Sequence, residues 1–105
     1  MGKLYELNLL ESYLKDNGYV YERIDENPWH DGYMDKHIII VYDGKDEDGN
    51  FKNRLWDAIC HYGSYGYAEG LLEIYGNIVD QRKDGDVVVG HLTAADVIKR
   101  LNKDE

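Results

Sequence analysis

The chain has 105 residues, ten of them tyrosine, and a formal net charge of −9 from 21 acidic and 12 basic side chains. This length and an ordinary apolar content predict a single domain over residues 1–105. The acidity argues against direct binding of nucleic acid or anionic membranes, because phosphate groups need a cationic surface. Without an apolar run of signal-peptide or membrane-spanning length, the chain is expected in the cytoplasm.

A helix and two strands are predicted in the first part of the chain. The helix, over residues 3–17, has leucines recurring every three or four positions: Leu4, Leu7, Leu10 and Leu14. Leu9 is expected to widen that apolar stripe. Alternation over residues 19–24 predicts a strand, residues 25–35 with the only proline predict a loop, and the apolar run 37–42 predicts an interior strand.

The middle of the chain is expected to hold a hairpin and a second helix. Residues 43–50 are polar and rich in glycine and aspartate, which is typical of a turn that joins two strands. The stretch 51–61 then alternates like a strand, and a strand is the prediction because the preceding turn closes a hairpin. Residues 53–62 also fit a helical stripe, so the helical alternative stays open. Apolar residues keep a helical rhythm after a glycine-tyrosine loop, which predicts a helix over residues 66–75.

The last part of the chain predicts a charged turn over residues 80–86, a short strand over residues 87–89 and a final helix. Thr93 is the expected N-cap of that helix, with Asp96 as its capping-box partner. Together the elements predict an α+β fold, with a small, mostly antiparallel sheet of three to four strands. N-terminal, middle and C-terminal helices are expected to pack on that sheet.

No pattern for a metal, a cofactor or a catalytic centre is complete in the sequence. Histidine and cysteine lack the spacing of a zinc site. A twelve-residue calcium loop that starts at Asp43 would have Lys45 and Arg54 where oxygen ligands are needed. The single cysteine excludes an internal disulfide. We therefore expect no metal and no cofactor, and a small enzyme using Cys60 with a histidine such as His37 is a minor alternative.

Two groups of side chains are the candidate partner-binding residues. The first is the acidic group of the hairpin turn: Asp43, Asp46, Glu47 and Asp48. The second is a set of rings in the glycine-spaced loop: Tyr62, Tyr65 and Tyr67. Carboxylates attract cationic surfaces, and tyrosine is enriched at protein interfaces. The rings could also be lids over the core, and the acidity could serve solubility alone.

The stretch from Arg54 to Ile74 resembles small uncharacterised acidic proteins carried by phages and mobile elements of Gram-positive bacteria. Residues 21–28, 39–43 and 92–97 resemble the same proteins. The resemblance implies a setting, and it assigns no role to any residue. Proteins of that setting resemble inhibitors of host defence, such as anti-CRISPR proteins, in size and charge.

Charge and setting together lead to the hypothesis of a non-enzymatic, anti-CRISPR-type inhibitor in the cytoplasm of a host bacterial cell. Its partner would be a basic host protein such as a CRISPR effector nuclease, in whose nucleic-acid channel carboxylates would take the place of phosphates. An accessory protein that binds a small molecule or a phage partner is the alternative, with Trp56, His61 and Tyr67 lining its pocket.

Overall fold

The fold is a five-stranded antiparallel sheet with two helices on one face, seen in a computed structural model that describes residues 3–26 and 35–102. The elements in chain order are α1 (Tyr5–Asp16), β1 (Val20–Glu26), β2 (Lys36–Lys45), β3 (Phe51–Ile59), a 3-10 turn (Tyr67–Glu69), β4 (Leu72–Gly76), α2 (Gln81–Asp84), β5 (Val88–Leu92) and α3 (Ala94–Leu101). The strands lie side by side in the order of the chain. The predicted α+β class is confirmed, but the predicted sheet was too small, because five strands pair where three to four were expected.

The two terminal helices form where their sequence patterns predict them. In α1 the leucines at positions 7, 10 and 14 are fully buried. Leu9 was expected in the same stripe, but it is 42% exposed because it lies about 100° or more around the helix from each of those leucines. In α3 the predicted capping box is confirmed, since Thr93 and Asp96 each accept a hydrogen bond from the other's backbone N–H.

β2 and β3 form the predicted hairpin, and residues through Ile59 are strand rather than helix. A bulge interrupts the pairing between Val41 and Tyr42, and it leaves Leu55 as the extra residue of β3. β1 continues through Glu26, into the predicted loop. The rest of that loop, 27–34 with Trp29 and His30, lies outside the described residues.

The helix predicted over residues 66–75 is wrong. Gly66 and Gly70 flank the 3-10 turn with φ angles of 98° and 72°, and such left-handed positions end a helix rather than continue it. The chain then pairs with β3 as β4, where buried Leu72 and Ile74 alternate with more exposed neighbours. Pairing with the edge of β3 therefore makes residues 72–76 a strand, although the spacing of their apolar residues favoured a helix.

The last predicted turn and strand are confirmed in outline. The charged turn over residues 80–86 contains α2, a single helical turn that Asp80 caps by accepting a hydrogen bond from the Arg82 backbone. The strand predicted over residues 87–89 is β5, which runs on to Leu92.

α1 and α3 run parallel on the same face of the sheet. The Glu6 carboxylate accepts a 2.8 Å hydrogen bond from the backbone N–H of Ala94, which joins the two N-terminal ends. The Tyr13 hydroxyl lies 3.2 Å from Nδ2 of Asn102, which joins the two C-terminal ends. The core between these helices and the sheet includes the fully or almost fully buried Ile39, Val41, Trp56, Ala58, Cys60, Leu72, Ile74 and Val97.

Candidate functional site

The β2–β3 hairpin projects beyond the rest of the sheet. β1 pairs with β2 only as far as Tyr42, and β4 reaches β3 no further than Trp56, whereas β2 and β3 stay paired out to Lys45 and Phe51. The end of this hairpin is therefore a two-stranded ribbon that no other strand of the described residues flanks, and residues 45–54 are exposed throughout. We call residues 43–54 the acidic ribbon.

The turn at the tip of the acidic ribbon is built by Asp46. Its Oδ1 accepts 2.9 Å hydrogen bonds from the backbone N–H groups of Asp48 and Asn50, and its own N–H donates to the Asn50 carbonyl. At the ribbon's base, Asp43 accepts a longer 3.3 Å bond from Asn53. Of the four predicted acids, Glu47 and Asp48 alone have side chains without a hydrogen bond or ion pair among the described residues.

Aromatic packing stiffens the stem of the acidic ribbon. The rings of Tyr42 and Phe51 stack across the two strands with centroids 4.5 Å apart, and the Lys45 ammonium lies 5.1 Å from the Phe51 centroid. The Tyr42 hydroxyl also donates a 3.0 Å hydrogen bond to Glu22 of β1. These contacts hold the tip in a defined direction relative to the sheet.

The three predicted tyrosines differ in their surroundings. Tyr62 and Tyr65 are 51% and 60% exposed, and Tyr65 stacks on His91 at 6.5 Å between centroids. Tyr67 is half-buried against the core, with Tyr62 at its edge and the Lys3 ammonium 4.5 Å from its centroid. The interface interpretation therefore suits Tyr62 and Tyr65, whose rings are exposed. The lid interpretation suits Tyr67, whose ring packs on the core.

The acidic ribbon and the tyrosine loop lie at opposite ends of β3. The ribbon precedes Trp56, while the loop begins two residues after β3 ends at Ile59. A nine-residue strand spans roughly 30 Å at about 3.3 Å per residue. The predicted acids and rings thus do not form one patch, and a single partner would contact both groups only across the length of the sheet.

A chain of polar contacts near the tyrosine loop was missed by the sequence analysis. His37 Nδ1 lies 2.8 Å from Asp25, its Nε2 lies 3.6 Å from Asp35, and Asp35 accepts a 2.9 Å hydrogen bond from the Tyr67 hydroxyl. Asp35 and His37 are 9% and 6% exposed. The sequence carried no local signal for this cluster, because pairing of β1 with β2 and the fold of the tyrosine loop bring its members together.

The thiol and imidazole beside this cluster are poor candidates for nucleophilic chemistry. Cys60 is fully buried, and burial is the main cause that raises the pKa of its thiol, so the reactive thiolate is disfavoured. Burial first, and then electrostatic interaction with His37 and Lys36, lowers the pKa of His61. Neutral His61 instead accepts a 2.9 Å hydrogen bond from the backbone N–H of His37.

No family model, curated protein or solved structure matches this chain. Within residues 3–26 and 35–102, no helix has the length and apolarity to cross a membrane, and no three acidic, histidine or cysteine side chains group as metal ligands.

The pocket proposed from Trp56, His61 and Tyr67 is not formed by those residues. Trp56 is 3% exposed and belongs to the core of the sheet. His61 follows it by five positions along an extended chain, a separation of roughly 15 Å. His61 and Tyr67 lie instead beside the polar contacts of Asp35 and His37. His61 accepts a hydrogen bond from the His37 backbone, and Tyr67 donates one to Asp35.

Proposed function

We propose that this protein is a non-enzymatic inhibitor that docks on the basic, nucleic-acid-contacting surface of a host enzyme, with a CRISPR effector nuclease as the partner. The observation that carries the proposal is the acidic ribbon, an exposed two-stranded projection with carboxylates at its tip. A two-stranded ribbon is narrow enough to enter the groove of a nucleic acid. It is correspondingly suited to a channel that is shaped for nucleic acid and lined with cations.

Charge pairing inside the chain supports this use of the surface. Arg23 pairs with Glu11 at 2.8 Å, Arg100 pairs with Asp84 at 2.9 Å, and Arg54 pairs with Asp57. Each pair cancels one positive and one negative charge, so the net charge of −9 is carried by acidic side chains outside these three pairs. Such a surplus steers association with a basic partner and makes the association rate fall as salt is added.

The tip is the part of the ribbon expected to make first contact. Lys45, Lys52 and Arg54 lie on the stem, so the negative charge of the projection is concentrated at its tip, where Asp46 builds the turn and Glu47 and Asp48 point outward from the pairing. Neither of these carboxylates is used by the fold among the described residues. Both can therefore be offered to lysine or arginine side chains of the partner, in the positions that phosphates would take.

The test is affinity capture of candidate host nucleases by the full chain, followed by binding measurements at several salt concentrations. Glu47→Gln with Asp48→Asn removes the tip charge and leaves Asp46, which builds the turn, in place. Asp16→Asn with Glu69→Gln removes two charges from exposed positions elsewhere.

We expect the tip variant to bind about tenfold more weakly at low salt, with most of the loss in the association rate. The control variant should stay within about twofold of the unmodified chain. Equal binding by the two variants would contradict a role for the ribbon, and capture of no nucleic-acid enzyme would contradict the proposed class of partner.

A further inference from the structure

A second surface beside the acidic ribbon has the chemistry of a cation site. A cavity of about 460 Å³ opens where the C-terminal ends of α1 and α3 meet the start of β1 and the base of the ribbon. Its lining consists of Tyr13, Asn17, Gly18, Tyr19, Val20, Tyr42, Asp43 and Asn102. Among these described residues there is one carboxylate and no lysine or arginine, so their summed charge is negative.

The parallel packing of the two helices adds to that negative potential. Asn17 is the C-cap of α1 and Asn102 is the C-cap of α3, and both residues line the cavity. Each helix has a partial negative charge at its C-terminal end, where cations are stabilised. In an antiparallel pair a C-terminal end would lie beside an N-terminal end and their partial charges would cancel. Here two partial negative charges lie side by side and add.

Acceptor groups are available on the cavity wall. Asn17 Nδ2 donates a 2.8 Å hydrogen bond to the Tyr13 carbonyl, which leaves the side-chain oxygen of Asn17 as an acceptor. Among the described residues, one group donates a hydrogen bond to the Asp43 carboxylate: Nδ2 of Asn53 donates to Oδ2. Oδ1 of Asp43 can accept another. The polar groups of the wall are thus suited to a donor-rich ligand.

Two aromatic rings form a corner of the same cavity. The centroids of Tyr13 and Tyr19 are 6.2 Å apart and their planes meet at 42°. A cation beside tyrosine rings is attracted by their electron-rich faces, and a flat guanidinium can stack on one ring while its N–H groups reach acceptors in its own plane. An ammonium group carries the same charge but cannot do both.

We propose that this cavity binds the guanidinium group of an arginine side chain from the partner protein. The site rests on the proposed function, because the same basic surface that receives the ribbon would supply the arginine. Asp43 belongs to both features, since it lies at the base of the ribbon and on the wall of the cavity. The ribbon would engage the partner's channel while one arginine at the channel's rim enters the cavity.

The test uses acetyl-arginine-amide as the probe, titrated into the full chain with amide shifts followed by NMR. We expect saturable shifts clustered at Gly18, Tyr19, Asp43 and Asn102, with weaker binding of acetyl-lysine-amide. The citrulline analogue, which has arginine's shape without its charge, should produce no saturable shift. Shifts of equal size for arginine and citrulline, or shifts centred elsewhere, would overturn the proposal.

Matched variants separate this site from the tip of the ribbon. Asp43→Asn should weaken acetyl-arginine-amide about threefold to fivefold, a typical loss for one exposed ion pair. Glu47→Gln with Asp48→Asn should leave it unchanged, and an unaltered affinity in Asp43→Asn would contradict the assignment. If the probe binds as expected while no nuclease is captured, the cavity stands and the proposed function fails. If a nuclease is captured but acetyl-arginine-amide does not bind, the proposed function stands and the cavity proposal fails.

Discussion

The Tyr67 hydroxyl donates a 2.9 Å hydrogen bond to Oδ2 of Asp35, a carboxylate that is buried where the chain enters β2. This bond ties the tyrosine loop, which follows β3, to the strand beside it. Burial, together with the bond to Asp35, raises the pKa of Tyr67 to about 12. The phenol therefore stays protonated and keeps its role as donor at any pH at which the protein would work.

Tyr67→Phe is expected to lower the free energy of unfolding by about 1–3 kcal/mol, because the buried Asp35 carboxylate would lose the hydrogen bond from this hydroxyl. Urea denaturation measures the loss. Tyr75→Phe removes the same hydroxyl from a ring that is 54% exposed, and it should change stability by less than about 0.5 kcal/mol. Equal losses in the two variants would show that the bond to Asp35 contributes nothing.

The stability of the fold should decrease as the pH falls through the range in which histidine titrates. Burial first, and then His37 and Lys36, lower the pKa of His61 from its ordinary 6.5. As the pH falls, the unfolded chain takes up this proton before the folded chain does. The unfolded state then binds more protons, so the free energy of unfolding decreases as the pH falls from about 7 through the ordinary histidine pKa of about 6.5.

His61→Asn keeps an acceptor for the His37 backbone but cannot titrate, so it should flatten that slope. Urea midpoints at several pH values measure it. His91→Asn is the control for loss of an imidazole from the surface, since asparagine tolerates the φ of 58° at that position. A slope that is as steep in His61→Asn as in the unmodified chain would contradict the argument.

Local sequence patterns were sufficient to predict the elements whose spacing or capping residues lie within the element itself. The leucine spacing of α1, the isoleucine run of β2 and the Thr93 capping box of α3 each predict the observed element. β4 could not be predicted in this way, because Leu72 and Ile74 fit a helical rhythm as well as a strand. The open edge of β3 decided between the two, and that edge exists only once the sheet has formed.

The candidate site shows the same division. The polar composition of residues 43–50 predicts the hairpin turn, but the projection of the ribbon depends on where β1 and β4 stop pairing. The contact of Asp35 with Tyr67 likewise joins residues that are far apart in the sequence. Composition indicated which residues are polar and aromatic, whereas tertiary pairing decided which of them meet.

The close approach of β4 to β3 predicts a strong effect at Gly76. Its φ is 120°, and a Cβ there would lie 2.5 Å from the Trp56 Cα and the Leu55 carbonyl oxygen. Gly76→Ala should therefore cost more than about 3 kcal/mol of stability in urea denaturation. Gly44→Ala is the control, since open space surrounds that position, and it should cost less than about 1 kcal/mol. Similar losses at both sites would contradict the packing.

Cys60 should be silent toward alkylating agents while the protein is folded. It is fully buried, and the raised pKa of its thiol keeps it protonated near neutral pH. Iodoacetamide labelling followed by mass spectrometry should give a rate that rises with urea in parallel with unfolding. Rapid labelling in native buffer would contradict this expectation, and it would revive the alternative of a Cys-His enzyme.

Two acids at the tip of the acidic ribbon should respond differently to substitution, because Asp46 holds the turn and Glu47 does not. Asp46→Ala removes the acceptor for two backbone N–H groups and should destabilise the ribbon by about 1 kcal/mol, whereas Asp46→Asn keeps an acceptor oxygen and should retain most of the turn. Glu47→Ala is the control and should be nearly neutral. Hydrogen exchange at the ribbon amides measures the local effect.

If Asp46→Ala and Glu47→Ala accelerate that exchange equally, the turn is not held by Asp46. The distinction bears directly on the binding test, because an Asp46 variant would weaken a partner contact by loosening the ribbon as well as by removing charge. A loss of binding can be assigned to charge only where exchange at the ribbon is unchanged, as expected for Glu47→Gln with Asp48→Asn.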